Sequence, residues 1–369
     1  MKKSILAILA IVTIAISSCT KEDVAPSSTF VVNVNDLKGE IADGTVTLDP
    51  SKLHTLTGGL VVKSGATLII PAGTKIQSDP TADTEKAKTM YIAVERGAKI
   101  FINGTATNPV VMTSGKSTPT EGNWGGLIIC GDGKVNTGDN GTSEVGGLLY
   151  GGNNNADNSG KITYLKISYT GSKFSATKEY NGVSFFGVGS GTEVSNIYTF
   201  ESGDDAVEFF GGAVNASNLV LINSYDDSLD FADGYVGTIT NVYISGVTFA
   251  GVEGSNNAAN VTATPTTDGK IVNMTIAKGA DAKFTASEKA LNFKEGSGKQ
   301  TYTNLFVEGI STLAKISTDA GTTAVIAAGD IKVNGTNFAT ASNNTSTYVT
   351  NQTGAGSGDK LPTWASWSN

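Results

Sequence analysis

The sequence is poor in the side chains that build many metal sites and many catalytic centres. It contains one histidine, His54, one arginine, Arg96, and two cysteines, Cys19 and Cys130. A single histidine excludes multi-histidine metal sites and most histidine-based catalysis. The candidate chemistry of this chain therefore has to be sought among its carboxylates and lysines.

Proline is also scarce, with 8 residues in 369, whereas glycine is abundant at 45. Leucine, glutamate and arginine are few, and threonine, serine, asparagine and valine are common, which favours many short strands joined by tight turns. The formal net charge is −8, and the lysines form no cluster. An acidic chain without a basic patch argues against nucleic acid as a partner.

The first residues, "MKKSILAILAIVTIAISSC", carry two lysines, an apolar run from Ile5 to Ile16 and small residues before Cys19. This pattern predicts a secretory signal peptide over residues 1–18, too short to span a membrane as a helix. The ending "ISSC" resembles a bacterial lipobox, which implies cleavage before Cys19 and acylation of that cysteine. Cys130, in "GLIICG", would then have no disulfide partner, and it is expected to be a small buried hydrophobic residue.

Residues 19–45 are interpreted as the lipidated cysteine and a linker. The stretch "TKEDVAPSS" after Cys19 resembles the lipoprotein export signal of Bacteroidota, which implies display on the outer face of the outer membrane. The alternative interpretation is that this stretch is only a charged, flexible tether and carries no export signal.

An internal repeat organises the rest of the chain. The same pattern, an asparagine before a short run with apolar residues at alternate positions, occurs at Asn196, Asn218, Asn241, Asn273 and Asn304. The first two intervals are 22 and 23 residues, and the next two are 32 and 31, as expected if loops interrupt the repeat. A second strand aligns in each copy, and its members share an inward apolar residue followed two positions later by phenylalanine: "NGVSFFG", "DAVEFFG", "DSLDFAD" and "KALNFKE".

A repeat of this length with two or three short strands predicts one coil of a parallel β-helix, over residues 46–345. Leucine-rich repeats place their asparagine after the leucines, and β-propeller repeats are about twice as long. A right-handed helix is expected because parallel crossovers are overwhelmingly right-handed. Residues 346–369 are predicted to be a cap or tail, in which Trp364 and Trp367 would cover the last coil.

The repeat places acidic residues at equivalent positions of successive coils. Glu208, Asp230 and Glu253 are predicted to form an outward-facing column, flanked by Ser184 and Asn292, and to be the residues that bind a ligand. Carboxylates on neighbouring strands repel each other, so they must be neutralised, solvated or protonated. Calcium is a natural neutraliser because it takes six to eight oxygen ligands. The predicted calcium ligands are Asp204, Asp205, Asp226, Asp227 and Asp230. The alternative is that Asp205 and Asp227 only form turns and that the other acids are solvated.

The sequence "YDDSLDF", with an acid one coil earlier, resembles the calcium site of family 9 pectate lyases, which are right-handed β-helices. The resemblance implies that Asp226, Asp227 and Asp230, with Asp204 or Asp205, bind calcium and an acidic sugar, and that a lysine abstracts a proton. Lys270 and Lys289 are the nearest candidates for this base in the sequence. Glu208 and Asp230 could also form the carboxylate pair of a hydrolase, but the sequence indicates no cleft around them.

Residues 120–240 most strongly resemble Bacteroidota lipoproteins with pectin-lyase-like β-helix domains, through "NWGGLIICG", "NGVSFFGVGSGT" and the two acidic clusters. Some such proteins occur beside TonB-dependent transporters, which implies a role in nutrient capture. The first hypothesis is a non-catalytic surface lipoprotein that binds a glycan, with outward aromatic residues such as Tyr198 and Tyr243 as stacking surfaces. The alternatives are a calcium-dependent polysaccharide lyase and a structural or adhesive protein.

Overall fold

The computed structural model describes residues 27–138, 140–279, 289–356 and 358–369. The predicted signal peptide and Cys19 lie outside these residues. Most of the described chain is a stack of parallel strands, with two short antiparallel strand pairs and a few short helices. The strands are β1 (Leu37–Ile41), β2 (Thr45–Thr47), β3 (Leu53–Val62), β4 (Thr67–Pro71), β5 (Lys75–Ser78), β6 (Ile92–Val94), β7 (Lys99–Asn103), β8 (Val110–Thr113), β9 (Leu127–Cys130), β10 (Gly141–Thr142), β11 (Leu149–Tyr150), β12 (Gly160–Ser168), β13 (Val183–Phe186), β14 (Glu193–Phe200), β15 (Val207–Phe210), β16 (Asn215–Ile222), β17 (Leu229–Ala232), β18 (Thr238–Ser245), β19 (Ala250–Ser255), β20 (Asp268–Ala277), β21 (Lys289–Lys294), β22 (Lys299–Glu308), β23 (Ala314–Ile316), β24 (Ile331–Val333) and β25 (Thr336–Asn337).

The helices are short and lie outside the strand stacks. They are the α-helices α1 (Thr84–Ala87), α2 (Ala320–Ala327) and α3 (Thr345–Tyr348) and the 3₁₀ helices Thr340–Ser342 and Thr363–Ser368. No helix among the described residues is long and apolar enough to cross a membrane.

The strands stack into three faces, as predicted for a parallel β-helix. Face A contains β6, β9, β13, β15, β17, β19, β21 and β23, paired in that order. Face B contains β2, β4 and β7, followed by the first halves of β12, β14, β16, β18, β20 and β22. Face C contains β5 and β8, followed by the second halves of the same long strands.

The repeated asparagine marks the corner between faces B and C. Asn196, Asn218, Asn241, Asn273 and Asn304 all have φ between 56° and 59°. Asparagine tolerates this left-handed conformation better than most residues, which lets the strand change direction without a glycine. From Asn218 onward, each side-chain amide also donates to the side-chain oxygen of the preceding asparagine, at 3.0–3.2 Å. The sequence repeat therefore corresponds to a hydrogen-bonded ladder along the helix axis.

The interior is filled by the apolar residues of the repeat. On face A, Phe185, Phe209 and Phe231 lie in register and are fully buried. Phe185 and Phe209 stack with ring centroids 5.0 Å apart. Burying each ring contributes roughly 1.5–3 kcal/mol. The next position is Gly254, where a Cβ atom would lie 2.2 Å from the Gln300 side chain, so the phenylalanine ladder is interrupted there.

The last coil is not covered by the tryptophans, contrary to the sequence prediction. Phe338 and Tyr348 close this end, and the Phe338 ring packs edge-on against Phe293 with centroids 5.1 Å apart. Both residues belong to the segment after β23, which returns over the open core and excludes water from it.

The C-terminal segment instead runs back along the side of the helix. Ala355 donates its backbone N–H to Thr275 Oγ1 at 3.0 Å, and Tyr243 donates its hydroxyl to Asp359 O at 2.8 Å. Trp367 packs edge-on against Tyr164, several coils before the end of the stack. The tail therefore covers face C, not the end of the core.

The parallel coils also begin earlier than residue 46. Strand β1 and the first residue of β2 fall within residues 19–45, which the sequence assigned to the linker. Strand β1 pairs in parallel with β3, although with an irregular register between Leu37 and Gly39.

Candidate functional site: an acidic pocket on face A

Three acidic residues form a column along the outer surface of face A. Strand register aligns Glu208 with Asp230 and Asp230 with Glu253. Ser184 precedes this column and Asn292 follows it, as the sequence repeat predicted. We call Glu208, Asp230 and Glu253 the acid column.

The acid column is buried rather than solvated, contrary to the expectation for an outward-facing strand position. Glu208, Asp230 and Glu253 are 8%, 7% and 3% exposed. The long connection between β9 and β12 contributes Glu144 and Tyr150 to the space above the column. This connection is held in place by Arg96, which donates to Gly151 O. The covering loop turns a strand surface into a pocket.

A second column lies at the start of the same strands. Asn181, Asp205 and Asp227 each stand two residues before the first inward apolar residue of their strand, and all three are buried. Asp205 Oδ1 accepts a hydrogen bond from the Asp227 backbone N–H at 2.9 Å. This amide lies 22 residues further on, so the bond links two coils and is not the local turn bond of the alternative interpretation. We call Asn181, Asp205 and Asp227 the corner column.

Four of the five predicted calcium ligands fall into two groups that share Asp205, and Asp227 belongs to neither group. One oxygen from each of Asp205, Glu208 and Asp230 can be chosen so that all three lie within 4.8 Å of one another. The same holds for Asp204, Asp205 and Asp226. The first group is fully buried, whereas Asp204 is half-buried and Asp226 is exposed. Glu208, which the sequence placed in the column but not among the calcium ligands, belongs to the buried group.

Several oxygens in the two columns have no hydrogen-bond partner among the residues that the structure describes. These atoms are Asn181 Oδ1, Asp227 Oδ1 and Asp230 Oδ1, and all three are buried. Asn181 Nδ2 donates to Glu208 Oε2 at 2.5 Å. A buried polar atom without a partner costs roughly 1–3 kcal/mol. The site therefore holds more acceptor capacity than the described residues satisfy.

At the other end of the column, both carboxylate oxygens of Glu253 have partners. Asn292 Nδ2 donates to Glu253 Oε2 at 2.5 Å, and the Lys294 ammonium lies 2.5 Å from Glu253 Oε1. This ion pair neutralises one carboxylate of the column, and among the described residues no lysine forms an ion pair with Glu208 or Asp230, although the Lys294 charge also lowers the pKa of Asp230.

Burial and mutual repulsion shift the proton equilibria of the site. Burial raises the pKa of Glu208 and Asp230 well above the ordinary range, and each neighbouring carboxylate raises it further. Asp205 and Asp227 shift in the same direction for the same reasons. Burial, with Asp226 beside it, raises the pKa of Asp204 to about 8. The columns therefore resist carrying their full negative charge unless a cation joins them.

Beside the acid column, the outer surface of face A is aromatic. Phe186 and Phe210 stand two residues beyond Ser184 and Glu208, and their rings stack with centroids 4.0 Å apart at 7°. Tyr150 packs on Phe186 at 4.9 Å and donates its hydroxyl to Asp233 Oδ2 at 3.2 Å. We call Phe186, Phe210 and Tyr150 the aromatic strip.

The acid column and the aromatic strip line a pocket of about 440 Å³, which we call the acidic pocket, and the corner column is not part of its lining. Its wall carries the aromatic strip and two lysines, Lys178 and Lys294. Its carboxylates are Glu144, Glu208, Asp230, Asp233, Glu253 and Glu295. A larger and more open groove of about 630 Å³ lies on face B, but Glu193 is the only titratable residue among those that line it.

Neither lysine suggested as a base lines the acidic pocket. Lys270 lies on face B and pairs with Asp268 at 3.1 Å. Lys289 begins β21, three residues before Asn292, and is aligned with Ala250. Lys294, which the sequence analysis missed, does line the pocket. It follows Asn292 by two positions, so the period of two along the strand places both on the same side and could have identified it.

The two tyrosines suggested as sugar-stacking surfaces lie elsewhere. Tyr243 is 6% exposed, and Tyr198 is half-buried. Both pack in a cluster with Ala365 and Trp364 of the C-terminal segment. Cys130, in contrast, is buried, as predicted.

The fold and the pocket place the chain in a known class of β-helical proteins. A family model described as a pectate-lyase-like β-helix domain matches residues 39–368. The chain therefore belongs to the family of pectate-lyase-like β-helix domains. No curated protein and no solved structure matches it.

Proposed function

We propose that the protein is a non-catalytic, glycan-binding β-helix protein whose acidic pocket holds a calcium ion. The observation that supports this proposal most strongly is the buried group of Asp205, Glu208 and Asp230. Its oxygens lie within 4.8 Å of one another, and Asp230 Oδ1 has no hydrogen-bond partner.

The donor set suits calcium by its chemistry. Calcium prefers carboxylate and amide oxygens and tolerates irregular geometry. Asp205, Glu208 and Asp230 would hold the ion, and Asn181 Oδ1 and Asp227 Oδ1 are further buried oxygens of the corner column without partners. A divalent ion there would offset the repulsion between carboxylates that no lysine pairs with. When bound, it would also supply a positive centre for the oxygens of a ligand.

The same residues argue for binding rather than for proton abstraction. Burial alone would lower the pKa of Lys294, but the Glu253 carboxylate beside it outweighs this effect and raises the pKa above its ordinary value. A lysine held as a cation cannot act as a general base. Lys270 and Lys289 lie away from the pocket.

A calcium-dependent lyase is the alternative function, since the family takes its description from pectate lyases. It predicts that the protein releases unsaturated products from uronate polymers in the presence of calcium. The ultraviolet absorbance of those products gives the assay. A structural or adhesive protein, the third possibility, predicts that acid-to-amide substitutions change stability only.

The location proposed for the protein is the outer face of an outer membrane, through a lipid on Cys19. A TonB-dependent transporter is the proposed partner. Replacing Cys19 with serine should move the protein from the membrane fraction to the soluble fraction. If the variant stays in the membrane fraction, the proposal of a lipid anchor on Cys19 is wrong.

Thermal unfolding tests the calcium site. A ligand that binds only the folded state stabilises it by about 2.7 kcal/mol at a concentration 100 times its Kd. We expect calcium to raise the Tm of the wild-type protein relative to EDTA. The double variant Glu208→Gln with Asp230→Asn should lose this shift. Asp268→Asn, which removes an acid on face B, serves as the control and should keep it. An equal shift in all three proteins would contradict the proposal.

A further inference from the structure

The two ends of the β-helix close their cores to different extents. At the C-terminal end, the core is closed by Phe338 and Tyr348, which are only 2% and 4% exposed. The residues between them, "ATASNNTST", are polar apart from two alanines. Terminal coils of a stacked repeat need such a polar outer face to remain soluble. The C-terminal end therefore meets this requirement within the chain itself.

The N-terminal end is closed less completely. Residues 27–36 run along the edge of the first coil, where Ser28 donates its backbone N–H to Thr45 O at 3.3 Å and Thr55 donates to Val34 O at 2.7 Å. Phe30 and Val32 pack against the core from this segment but stay only half-buried. Part of their apolar surface is therefore open to the surroundings.

Two more exposed apolar side chains lie at the same end. Val31 stands between Phe30 and Val32, points away from the core and is 86% exposed. Leu53 begins β3, which the Thr55 hydrogen bond holds beside this segment, and it is 49% exposed. A contiguous apolar surface that the fold does not cover marks a contact with a partner or a membrane. The N-terminal apolar end, as we call it, consists of Phe30, Val31, Val32, Val34 and Leu53.

The charges nearby do not oppose contact with lipid. Asp36 is the only charged residue among residues 27–36, and the Lys38 ammonium pairs with it at 2.9 Å. Asp43, which faces the segment, accepts hydrogen bonds from the hydroxyl groups of Ser28 and Thr29. The segment itself thus brings no unpaired charge to the N-terminal apolar end.

The length of chain before this end decides what it meets. Residues 20–26 separate Cys19 from Ser27, and a chain of this length reaches at most about 29 Å. Nine successive strand pairings lead from β1 to β23, so the C-terminal end lies roughly 43 Å away along the stack. A lipid on Cys19 therefore brings the N-terminal end to the membrane surface and leaves the C-terminal end out of reach of the tether.

We propose that the N-terminal apolar end rests on the lipid surface, so that the β-helix stands with its axis pointing away from the membrane. This inference rests on the proposed lipid on Cys19 and adds a contact surface to it. The apolar side chains would enter the headgroup region. Asp230, on β17 and six strand pairings beyond β1, would then lie roughly 29 Å above this end. The acidic pocket would face sideways, where a soluble polymer reaches it without entering the lipid.

Fluorescence quenching tests this orientation with the lipidated protein in vesicles of phosphatidylethanolamine and phosphatidylglycerol. The vesicles contain a lipid with a nitroxide on its headgroup, which quenches only over short distances. Asn33→Cys and Thr340→Cys carry a fluorophore at exposed positions of the two ends. Cys130 is fully buried, so labelling is confined to the introduced cysteine. We expect strong quenching at Asn33→Cys and none at Thr340→Cys.

Other outcomes separate this inference from the anchor on which it rests. If the protein sediments with the vesicles and both labels are quenched equally, the β-helix lies on its side and the inference is wrong. If the protein sediments with the vesicles and neither label is quenched, the N-terminal apolar end does not touch lipid, and the inference is wrong while the anchor stands. If the protein does not associate with the vesicles, the anchor fails and the inference fails with it.

Matched variants in the Asn33→Cys background test whether the apolar side chains make the contact. Val31→Ser with Leu53→Ser should lower the equilibrium constant for contact at least about tenfold, because apolar surface is lost from two residues. Leu149→Ser with Phe174→Ser removes two exposed apolar side chains in the connections before and after β12 and should leave the quenching unchanged. Since all four side chains are exposed, both variants should keep a Tm close to that of the parent. If both variants keep the full quenching, the tether alone holds this end near the membrane, and the apolar contact is wrong.

Discussion

Replacing Asp230 with asparagine should stabilise the protein when no divalent cation is present. The oxygens of Glu208 and Asp230 lie within 4.8 Å of each other, and both side chains are buried. Two full charges at this separation repel by about 3 kcal/mol at an effective dielectric constant of about 20. Partial protonation lowers the actual penalty. We therefore expect a gain of about 1–3 kcal/mol for Asp230→Asn in EDTA at pH 8.

The pH dependence of this gain follows from the direction of the pKa shift. The pKa of Asp230 is raised by folding, so the folded state binds its proton more tightly than the unfolded state does. The penalty is absent below the ordinary pKa of 3.8, grows as pH rises above that value, and levels off above the raised pKa of the folded state. The gain from Asp230→Asn should thus be present at pH 8 and nearly absent at pH 3.5.

Urea unfolding, followed by tryptophan fluorescence, measures the stability gain at pH 8 and at pH 3.5, with Asp268→Asn on face B as the control. In millimolar calcium the order should reverse, because the variant loses a ligand of the proposed ion. If Asp230→Asn is less stable than the wild-type protein in EDTA at pH 8, the acid column does not carry an uncompensated charge, and the reasoning is wrong.

Three further predictions concern the fold and the acid column. Phe209→Ala should lower the free energy of unfolding by about 3–5 kcal/mol, because it removes a fully buried ring from the core. Urea unfolding measures this change, and a loss below about 1 kcal/mol would contradict the packing of this ring. Asn241→Ala should lower the free energy of unfolding by about 1–3 kcal/mol, because it removes two hydrogen bonds of the asparagine ladder and places alanine at φ 58°. Asn241→Gly should lower it less, because glycine adopts this conformation without strain and only the hydrogen bonds are lost. Equal losses for these two variants would show that the backbone conformation is unimportant there. Lys294→Met should lower the free energy of unfolding at pH 8, because it leaves the buried Glu253 carboxylate without its ammonium partner. Urea unfolding measures this, and an unchanged stability would show that the ion pair does not matter to the fold.

The repeat and the register of the acid column were predictable from the sequence. The asparagine intervals of 22 and 23 residues define the coil, and the period of two along each strand defines which side chains point outward. These two rules place Glu208, Asp230 and Glu253 in one column without further information. They also place Lys294, which lies within the motif "KALNFKE" but was not assigned a role.

The burial of the column was not predictable in the same way. It depends on the connection between β9 and β12, which is rich in glycine and asparagine and has no repeating pattern. Its course is fixed by single contacts such as Arg96 to Gly151 O and Asn136 to Asn256 O, which no local rule indicates. The pocket therefore belongs to tertiary structure that the repeat does not encode.

The sequence correctly indicated that the end of the core is covered, but it assigned this role to the wrong residues. An exposed end of the core has to be covered, and two tryptophans near the end of the sequence were natural candidates. Phe338 and Tyr348 cover it instead, since they follow the last coil more closely. Trp364 and Trp367 pack on the side of the helix, where Tyr164, Tyr198 and Tyr243 offer aromatic partners.

The central claim is that the buried carboxylates of face A bind a divalent cation. Equilibrium dialysis against radioactive calcium measures this directly, with the wild-type protein, the Asp205→Asn/Glu208→Gln variant and Asp268→Asn as the control. The account predicts one tightly bound ion per chain in the wild-type protein and the control, and none in the double variant. No tightly bound calcium in the wild-type protein, or the same binding in the double variant, would contradict it.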